Sequence, residues 1–172
     1  MSYCNYVKNL NEDNLHKIYH DQHYGVPIED DNELFGRLIL EINQAGLSWD
    51  TILKKQESFR AAFDQFDIAA IAAYSDDKVA ELLQNAGIIR NRLKVAAVIT
   101  NANKVIEIQK EFGSFKSWLD QQKGLTLVEW VKLFKKQFKF VGGEIVNEFL
   151  MSTNYLPGAH QFGCPKYKEN EK

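Results

Sequence analysis

Asn85-Ala86-Gly87-Ile88-Ile89-Arg90 decides the fold, because only these few residues separate two strongly helical patterns. Upstream, Ser75 with Asp76 and Asp77 starts a helix along Val79, Leu82 and Leu83, its acids at the positive end of the helix dipole. Downstream, from Arg90 or Asn91, apolar residues recur at helical spacing through Leu93, Val95, Ala97, Val98, Ala102, Val105, Ile106 and Ile108, up to a stop at Gly113. The segment therefore reads as a tight helix pair closed by glycine. Gly87 can take a left-handed conformation cheaply, and Ile88 and Ile89 can pin the turn between the helices. Amides of the turn and of the second helix's first residues then face outward and suit an anion, with Arg90, Arg92 and Lys94 adding charge for a phosphate. The same residues fit an ordinary helix connection, since short glycine turns are common in bundles.

Further towards the N-terminus, Asp31 can cap a helix with Leu34, Phe35, Leu38, Ile39 and Ile42 on one face. That helix runs into Glu41-Ile-Asn-Gln-Ala-Gly-Leu-Ser-Trp49, an ending that a purely core-filling helix does not need. Lone buried carboxylates are rare, so Glu41 either lies on a solvated flank or is kept inward for chemistry. Ser48 can cap the next helix, carrying Trp49, Ile52, Leu53, Phe59 and Phe63, and Asp67 caps a small one from Ile68 to Tyr74. Asn14 to Tyr19 makes a short helical turn ended by Gly25-Val-Pro27.

Beyond Gly113, Ser114 to Gln121 is short and aromatic, and Thr126-Leu-Val-Glu129 has the spacing of a capping box ahead of Trp130, Val131, Leu133 and Phe134. A last helix follows Gly142-Gly143 along Ile145, Val146, Phe149 and Leu150. Only Phe138 to Val141 looks strand-like, and it is too short to build a sheet, so the fold class is all-α. At 172 residues and 45% hydrophobic the chain is long enough for one domain with a full core or for two small helical lobes sharing a cleft, and it is read as one unit, 1–172, with a helical core over about 30–155 and terminal segments 1–27 and 156–166. Apolar runs fall far short of a bilayer span and Met1-Ser-Tyr-Cys-Asn5 lacks an export signal, so the expectation is a cytoplasmic protein without a membrane partner. A net charge of -2 gives no global pull towards nucleic acid, yet Lys54-Lys55, Arg90 to Lys94, and Lys132, Lys135, Lys136 and Lys139 concentrate positive charge locally.

Cys4 and Cys164 stand near opposite ends, each close to histidine: His16, His20 and His23 follow Cys4, and His160 precedes Cys164. The His160-x3-Cys164 spacing in a loop broken by Pro157, Gly158, Gly163 and Pro165 suits half of a tetrahedral zinc site, with Cys4 and one early histidine as the other half. Two thiolates and two imidazoles saturate the ion and leave no position for water, so such a site is structural. Two unrelated thiols, or a disulfide in an oxidising compartment, fit the same spacing.

Taken together, the segments Tyr19-His-Asp21 with Gly25-Val-Pro27, Glu41 to Trp49 with Leu53-Lys-Lys55, Asn85 to Arg90, Phe138-Lys-Phe-Val-Gly142 and the His160-x3-Cys164 tail closely resemble one family, in order and over almost the whole chain. This is the bacterial 3-methyladenine DNA glycosylase I family of the helix-hairpin-helix superfamily. The resemblance implies a monofunctional, monomeric hydrolase with the helix-hairpin-helix glycosylase fold, acting on double-stranded DNA that contains alkylated purines. Such an enzyme flips a cationic purine, mainly 3-methyladenine, out of the duplex and hydrolyses its N-glycosidic bond. By the resemblance, Glu41 is the catalytic carboxylate and accepts hydrogen bonds from the base. Trp49 stacks on the flipped ring, Tyr19 contacts it from another side, and Tyr6 and Tyr24 add aromatic faces. Gln44, Ala45, Gly46 and Leu47 match the loop that fills the gap in the duplex, and Ala86, Gly87, Ile88, Ile89 and Arg90 match the phosphate grip. Cys4, His20, His160 and Cys164 match the ligands of one structural Zn2+, the Tyr-His-Asp match selecting His20.

Two features refine the resemblance. The wider superfamily carries a catalytic Asp after the hairpin and this family lacks it; Thr100, Asn101, Asn103 and Lys104 hold no Asp here. Tyr6 and Tyr24 stand where better-known members have Trp, which keeps aromatic faces but shrinks them and adds hydroxyls. A non-catalytic module that binds alkylated DNA is the competing reading, and the retained Glu41 argues against it, because a carboxylate near polyanionic DNA serves a binder poorly. A zinc-stapled helical scaffold for a protein partner is a third.

Overall fold

Side-chain caps start nearly every helix of the computed structural model, which describes residues 1–169. In chain order these are α1 Tyr3–Val7, α2 Leu15–Gln22, α3 Asp31–Gln44, α4 Trp49–Ala62, α5 Ile68–Ala72, α6 Asp76–Gln84, α7 Arg92–Phe112, α8 Phe115–Gln121, α9 Leu127–Gln137 and α10 Gly143–Ser152. A 3-10 turn at Asp64–Phe66 joins α4 to α5, and no strand occurs among the described residues. Ser48, Asp67 and Ser75 cap α4, α5 and α6. Thr126 and Glu129 close a full capping box on α9. Such caps satisfy amides that have no partner inside the helix.

Asp31 is not the cap of α3. Asp30 takes that role, accepting from the Glu33 amide at 3.0 Å. Asp31 reaches across instead to the start of α8, accepting from the amides of Phe115 and Lys116 at 2.8 and 3.0 Å. The strand-like Phe138 to Val141 is an irregular loop. Buried Asn101 supplies its pairing, donating to the Lys139 carbonyl at 3.0 Å and accepting from the Lys139 amide at 2.7 Å. One side chain thus satisfies the backbone that a lone strand would have left unpaired.

Helix α3 is the centre of the molecule. Leu34, Phe35, Leu38, Ile39 and Ile42 are fully buried against α4, α7, α8 and α10. The long α7 packs along α5, α6 and α8. One core holds these helices together, and a smaller cluster of Tyr19, Tyr24, Leu53 and Ala159 gathers the ends of the chain beside it.

Between α6 and α7 the glycine turn forms, but not for the expected reason. Gly87 is absent from the left-handed residues of the chain. What the position demands is space: a Cβ there would lie 2.9 Å from Ser58 Cβ on α4. The Gly87 amide turns inward to Asn85 Oδ1 at 2.8 Å, and Ile88 is buried. Helix α7 begins at Arg92, with Asn91 as its cap. Lys94 does not serve a phosphate either. It is only 4% exposed, and its Nζ donates to the carbonyls of Asn43 and Ala45 at 2.8 and 2.7 Å, at the C-terminal end of α3. Lys55 Nζ, donating to the Ala86 carbonyl at 2.9 Å, ties the turn to α4 as well.

Steric contact at Gly87 gives a direct test. Gly87→Ala is expected to cost about 1–3 kcal/mol, the usual range for overpacking. In a Ser58→Gly background, which removes the opposing Cβ, the same substitution is expected to cost markedly less in urea melts.

Candidate functional site

A cavity of about 460 Å³ opens where the chain ends meet the last turn of α3. Its walls are aromatic on one side, with Tyr3, Tyr19, Tyr24 and Trp49, and polar on the other, with Glu41, Gln44, Glu144, Asn147 and Glu148. Helices fix most of these groups: Tyr3 by α1, Tyr19 by α2, Glu41 and Gln44 by α3, Trp49 by the first position of α4, and the remaining polar residues by α10, while Tyr24 lies in the turn after α2.

Glu41 is 4% exposed, which rules out the solvated flank. No donor among the described residues is within hydrogen-bond reach of its carboxylate. Burial pushes its proton affinity up to about 8, Glu148's charge adds to this, and Arg37 opposes it. Arg37 lies one turn earlier but is committed elsewhere, donating to the Ser152 carbonyl at 3.3 Å and the Tyr19 hydroxyl at 3.4 Å. Its guanidinium also sits 5.2 Å from the Tyr19 ring centre. Tyr19 is buried with its hydroxyl shifted up, by burial above all, so it stays a neutral phenol. The Tyr19 and Trp49 rings stand 5.2 Å apart at 58°, and Tyr24 lies 5.7 Å from Tyr19.

Tyr6 does not line the cavity. It is 48% exposed and stacks behind Tyr3 at 6.1 Å, so Tyr3 supplies the wall expected of Tyr6. The Tyr3 hydroxyl lies 3.0 Å from His16 Nδ1, and His16 Nε2 lies 3.1 Å from Asp50 Oδ1. Because a carboxylate only accepts, Nε2 carries the proton, and Nδ1 accepts from Tyr3. Sequence reasoning also missed Glu144, Asn147 and Glu148. Their spacing marks one helical stripe, but a polar stripe beside Ile145, Val146 and Phe149 reads as a solvated face.

Beside the cavity, Gln44 to Leu47 form a tight turn. Gly46 is left-handed at φ +79°, Gln44 Nε2 donates to the Leu47 carbonyl at 2.7 Å, and Leu47 is partly exposed. On the α6–α7 turn, the amides of Gly87, Ile88 and Asn91 are engaged internally, while those of Ala86, Ile89 and Arg90 meet no acceptor among the described residues.

Cys4, His20, His160 and Cys164 converge, their Sγ and ring nitrogens all within 4.8 Å of one another. His20 Nε2 lies 3.3 Å from Cys4 Sγ and 3.7 Å from Cys164 Sγ; His160 Nδ1 lies 3.8 Å from each sulfur and 3.2 Å from His20 Nε2. The sulfur–nitrogen distances of 3.3–3.8 Å are close to those around a tetrahedral ion at ordinary bond lengths. Both imidazoles are also set in the tautomer a metal needs. His20 Nδ1 faces Asp21 Oδ1 at 2.7 Å and His160 Nε2 faces the Tyr24 carbonyl at 2.7 Å. Each outer nitrogen is thereby the donor, and each inner one keeps its lone pair free. His16 and His23 lie outside the cluster.

The sequence of residues 9–130 matches the model of a family described as methyladenine glycosylase. The chain is similar to DNA-3-methyladenine glycosylase 1 of Escherichia coli, at 36% identity over 99% of this chain and 100% of that protein. A DNA-3-methyladenine glycosylase of Haemophilus influenzae is 39% identical over 91% of this chain and 94% of its own. Among solved structures, a 3-methyladenine DNA glycosylase I from Staphylococcus aureus, described for its recognition of 3-methyladenine, has a TM-score of 0.84. It is 30% identical, over 93% of this chain and 95% of that one.

The unpartnered carboxyl of Glu41 has a consequence for stability. Its proton affinity rises from the ordinary 4.5 to about 8 on folding, so between those values the folded state binds more protons than the unfolded state. Stability therefore falls as pH rises through that window. Glu41→Gln removes this loss, and is expected to be more stable than the parent at pH values above about 8 by a few kcal/mol. Thermal melts of the two proteins converge below about pH 4.5, where both side chains are neutral.

Proposed function

The chain belongs to the methyladenine glycosylase family, and from that premise we propose how its residues divide the work of the reaction. It is a DNA-3-methyladenine glycosylase, a hydrolase that cleaves the N-glycosidic bond to the alkylated base. One observation carries the assignment of the site: a buried carboxylate with no hydrogen-bond donor among the described residues faces a partly aromatic cavity large enough for a purine.

Methylation at N3 makes the purine a cation, and therefore a good leaving group before any protein group acts on it. Flipping it from duplex DNA costs a few kcal/mol, less for a damaged base. In the cavity, Glu41 accepts from the exocyclic amine and its charge complements the cation. The incoming positive charge favours the ionised carboxylate, so binding offsets the burial that keeps Glu41 protonated in the free protein. Trp49 stacks on the ring, with Tyr19, Tyr24 and Tyr3 closing the other sides. A cation on such faces gains about 0.5–2 kcal/mol, which neutral adenine does not. The protein's contribution is thus to position and stabilise an already activated leaving group.

Gln44 to Leu47 enter the duplex and fill the gap left by the base. The α6–α7 pair acts as a helix-hairpin-helix: the unengaged amides of Ala86, Ile89 and Arg90, with the Arg90 side chain, hold the backbone phosphate. Gly87 and Ile88 serve that grip by shaping the turn. Zn2+, one per chain, is the ion assigned to Cys4, His20, His160 and Cys164. Two thiolates and two imidazoles close its coordination, so it supplies structure and takes no part in hydrolysis. The enzyme works as a monomer on double-stranded DNA, in the cytoplasm where bacterial DNA lies.

Purified protein is expected to release free 3-methyladenine from methylated duplex DNA, measured by chromatography of the freed base. Glu41→Gln lowers that rate by about 10–100-fold, the value of one hydrogen bond to a charged group, while the fold persists. Full activity in this variant removes Glu41 from the reaction. Metal analysis of the native protein is expected to find about one zinc per chain, and less than about half argues against the closed four-ligand site.

A further inference from the structure

A second carboxylate faces the cavity. Glu148 projects from α10, which packs directly on α3, and it lines the same space as Glu41. We propose that Glu148 is a specificity-determining residue that reads the charge of the bound base together with Glu41. The proposal rests on the base-pocket reading given above.

The charges around the pair leave little compensation. From α10 come Glu148 and Glu144; from the aromatic side come the phenols of Tyr3, Tyr19 and Tyr24; α4 contributes the uncharged Trp49. Among the described residues the one cation that acts on Glu41 is Arg37, from its own helix, and that guanidinium is already bound to Ser152 and Tyr19. Glu148 is itself shifted up, by burial first and by Glu144, with Tyr24 pulling the other way. Its charge also raises the proton affinity of Glu41. Two such carboxyls facing one cavity with aromatic walls on its other side cannot both ionise cheaply, so the empty pocket favours protons on the pair.

A cationic base changes this balance, because it compensates both carboxylates at once. A neutral base compensates neither. Binding in this pocket therefore depends more steeply on ligand charge than one carboxylate alone would make it. The preference for an alkylated cation over adenine becomes a property of the pair, and Glu148 also sets where on the pH axis the pocket is ready.

Glu148→Gln is nearly isosteric and removes only the charge. In single-turnover release of 3-methyladenine, the acid limb of the parent's rate profile reflects ionisation of Glu41. The variant's limb is expected to shift by about one pH unit or more to lower pH. On the alkaline side, where both carboxylates of the parent are charged, the variant is expected to be about three- to tenfold slower for want of one anion. The two profiles therefore cross. A limb that stays in place, with the whole profile only scaled, overturns the proposal. Carboxyl-carbon NMR titration of Glu41 in both proteins measures the same coupling without turnover: a midpoint that falls in the variant supports it, and an unchanged one refutes it. Full activity of Glu41→Gln strikes the base-pocket reading instead, and is distinguishable because the NMR midpoint is measured on the free protein.

Discussion

The ammonium of Lys94 rests on the carbonyls of Asn43 and Ala45, and the functional parts of the chain are fixed relative to that contact. These carbonyls belong to the last turn of α3, the negative end of its dipole, where a cation is favourable. Desolvation lowers the proton affinity of Lys94, yet two short hydrogen bonds retain the charged group there. On one side of the contact lies the turn Gln44 to Leu47, with Glu41 one helical turn earlier. On the other lies the start of α7 and the glycine turn before it. A lysine that would suit a phosphate by charge instead makes the glycine turn before α7 and the end of α3 beside the cavity one rigid piece.

Around that piece, order and cost are separated. The core of α3, α7 and α10 obeys ordinary packing, with apolar stripes buried and caps in place. Glu41 breaks the rule, sitting on the innermost helix without a donor among the described residues. Local violations of this kind concentrate at functional sites, where the surrounding fold holds a group in a state it would not choose alone. The cavity walls show a second economy: Tyr24 is held through its backbone carbonyl by His160, and Tyr3 is next to Cys4. The metal-suited cluster therefore orients two aromatic walls without touching the cavity.

Much of this was legible in the residues. Ser48, Asp67, Ser75 and Thr126 mark helix starts because capping is local chemistry, and Gly113 marks a stop because its left-handed conformation, φ +89°, favours glycine. Glu41 and Trp49 stood out by their position at the end of an apolar helix. What stayed hidden depended on distant partners. A glycine at position 87 is visible, but not that Ser58 crowds it. Lys94 reads as one more positive charge until the end of α3 is brought against it. Tyr3 and Tyr6 are three residues apart on a helix too short to show a periodic face, so sequence could not say which ring turns inward. Resemblance to a family, rather than spacing, selected His20 from the early histidines.

The Cys/His cluster joins residues as far apart as Cys4 and His160, so closing it by itself orders a loop of nearly the whole chain. Loop closure of that length is entropically unfavourable until intervening helices have already brought the ends together. The helical core must therefore come first and the cluster second. Tyr3, Tyr19 and Tyr24, carried on the segments the cluster secures, then settle against Trp49, which α4 already holds. By the same logic these walls open at a lower free-energy cost than the core, so the cavity can lose its shape while the helical body remains intact.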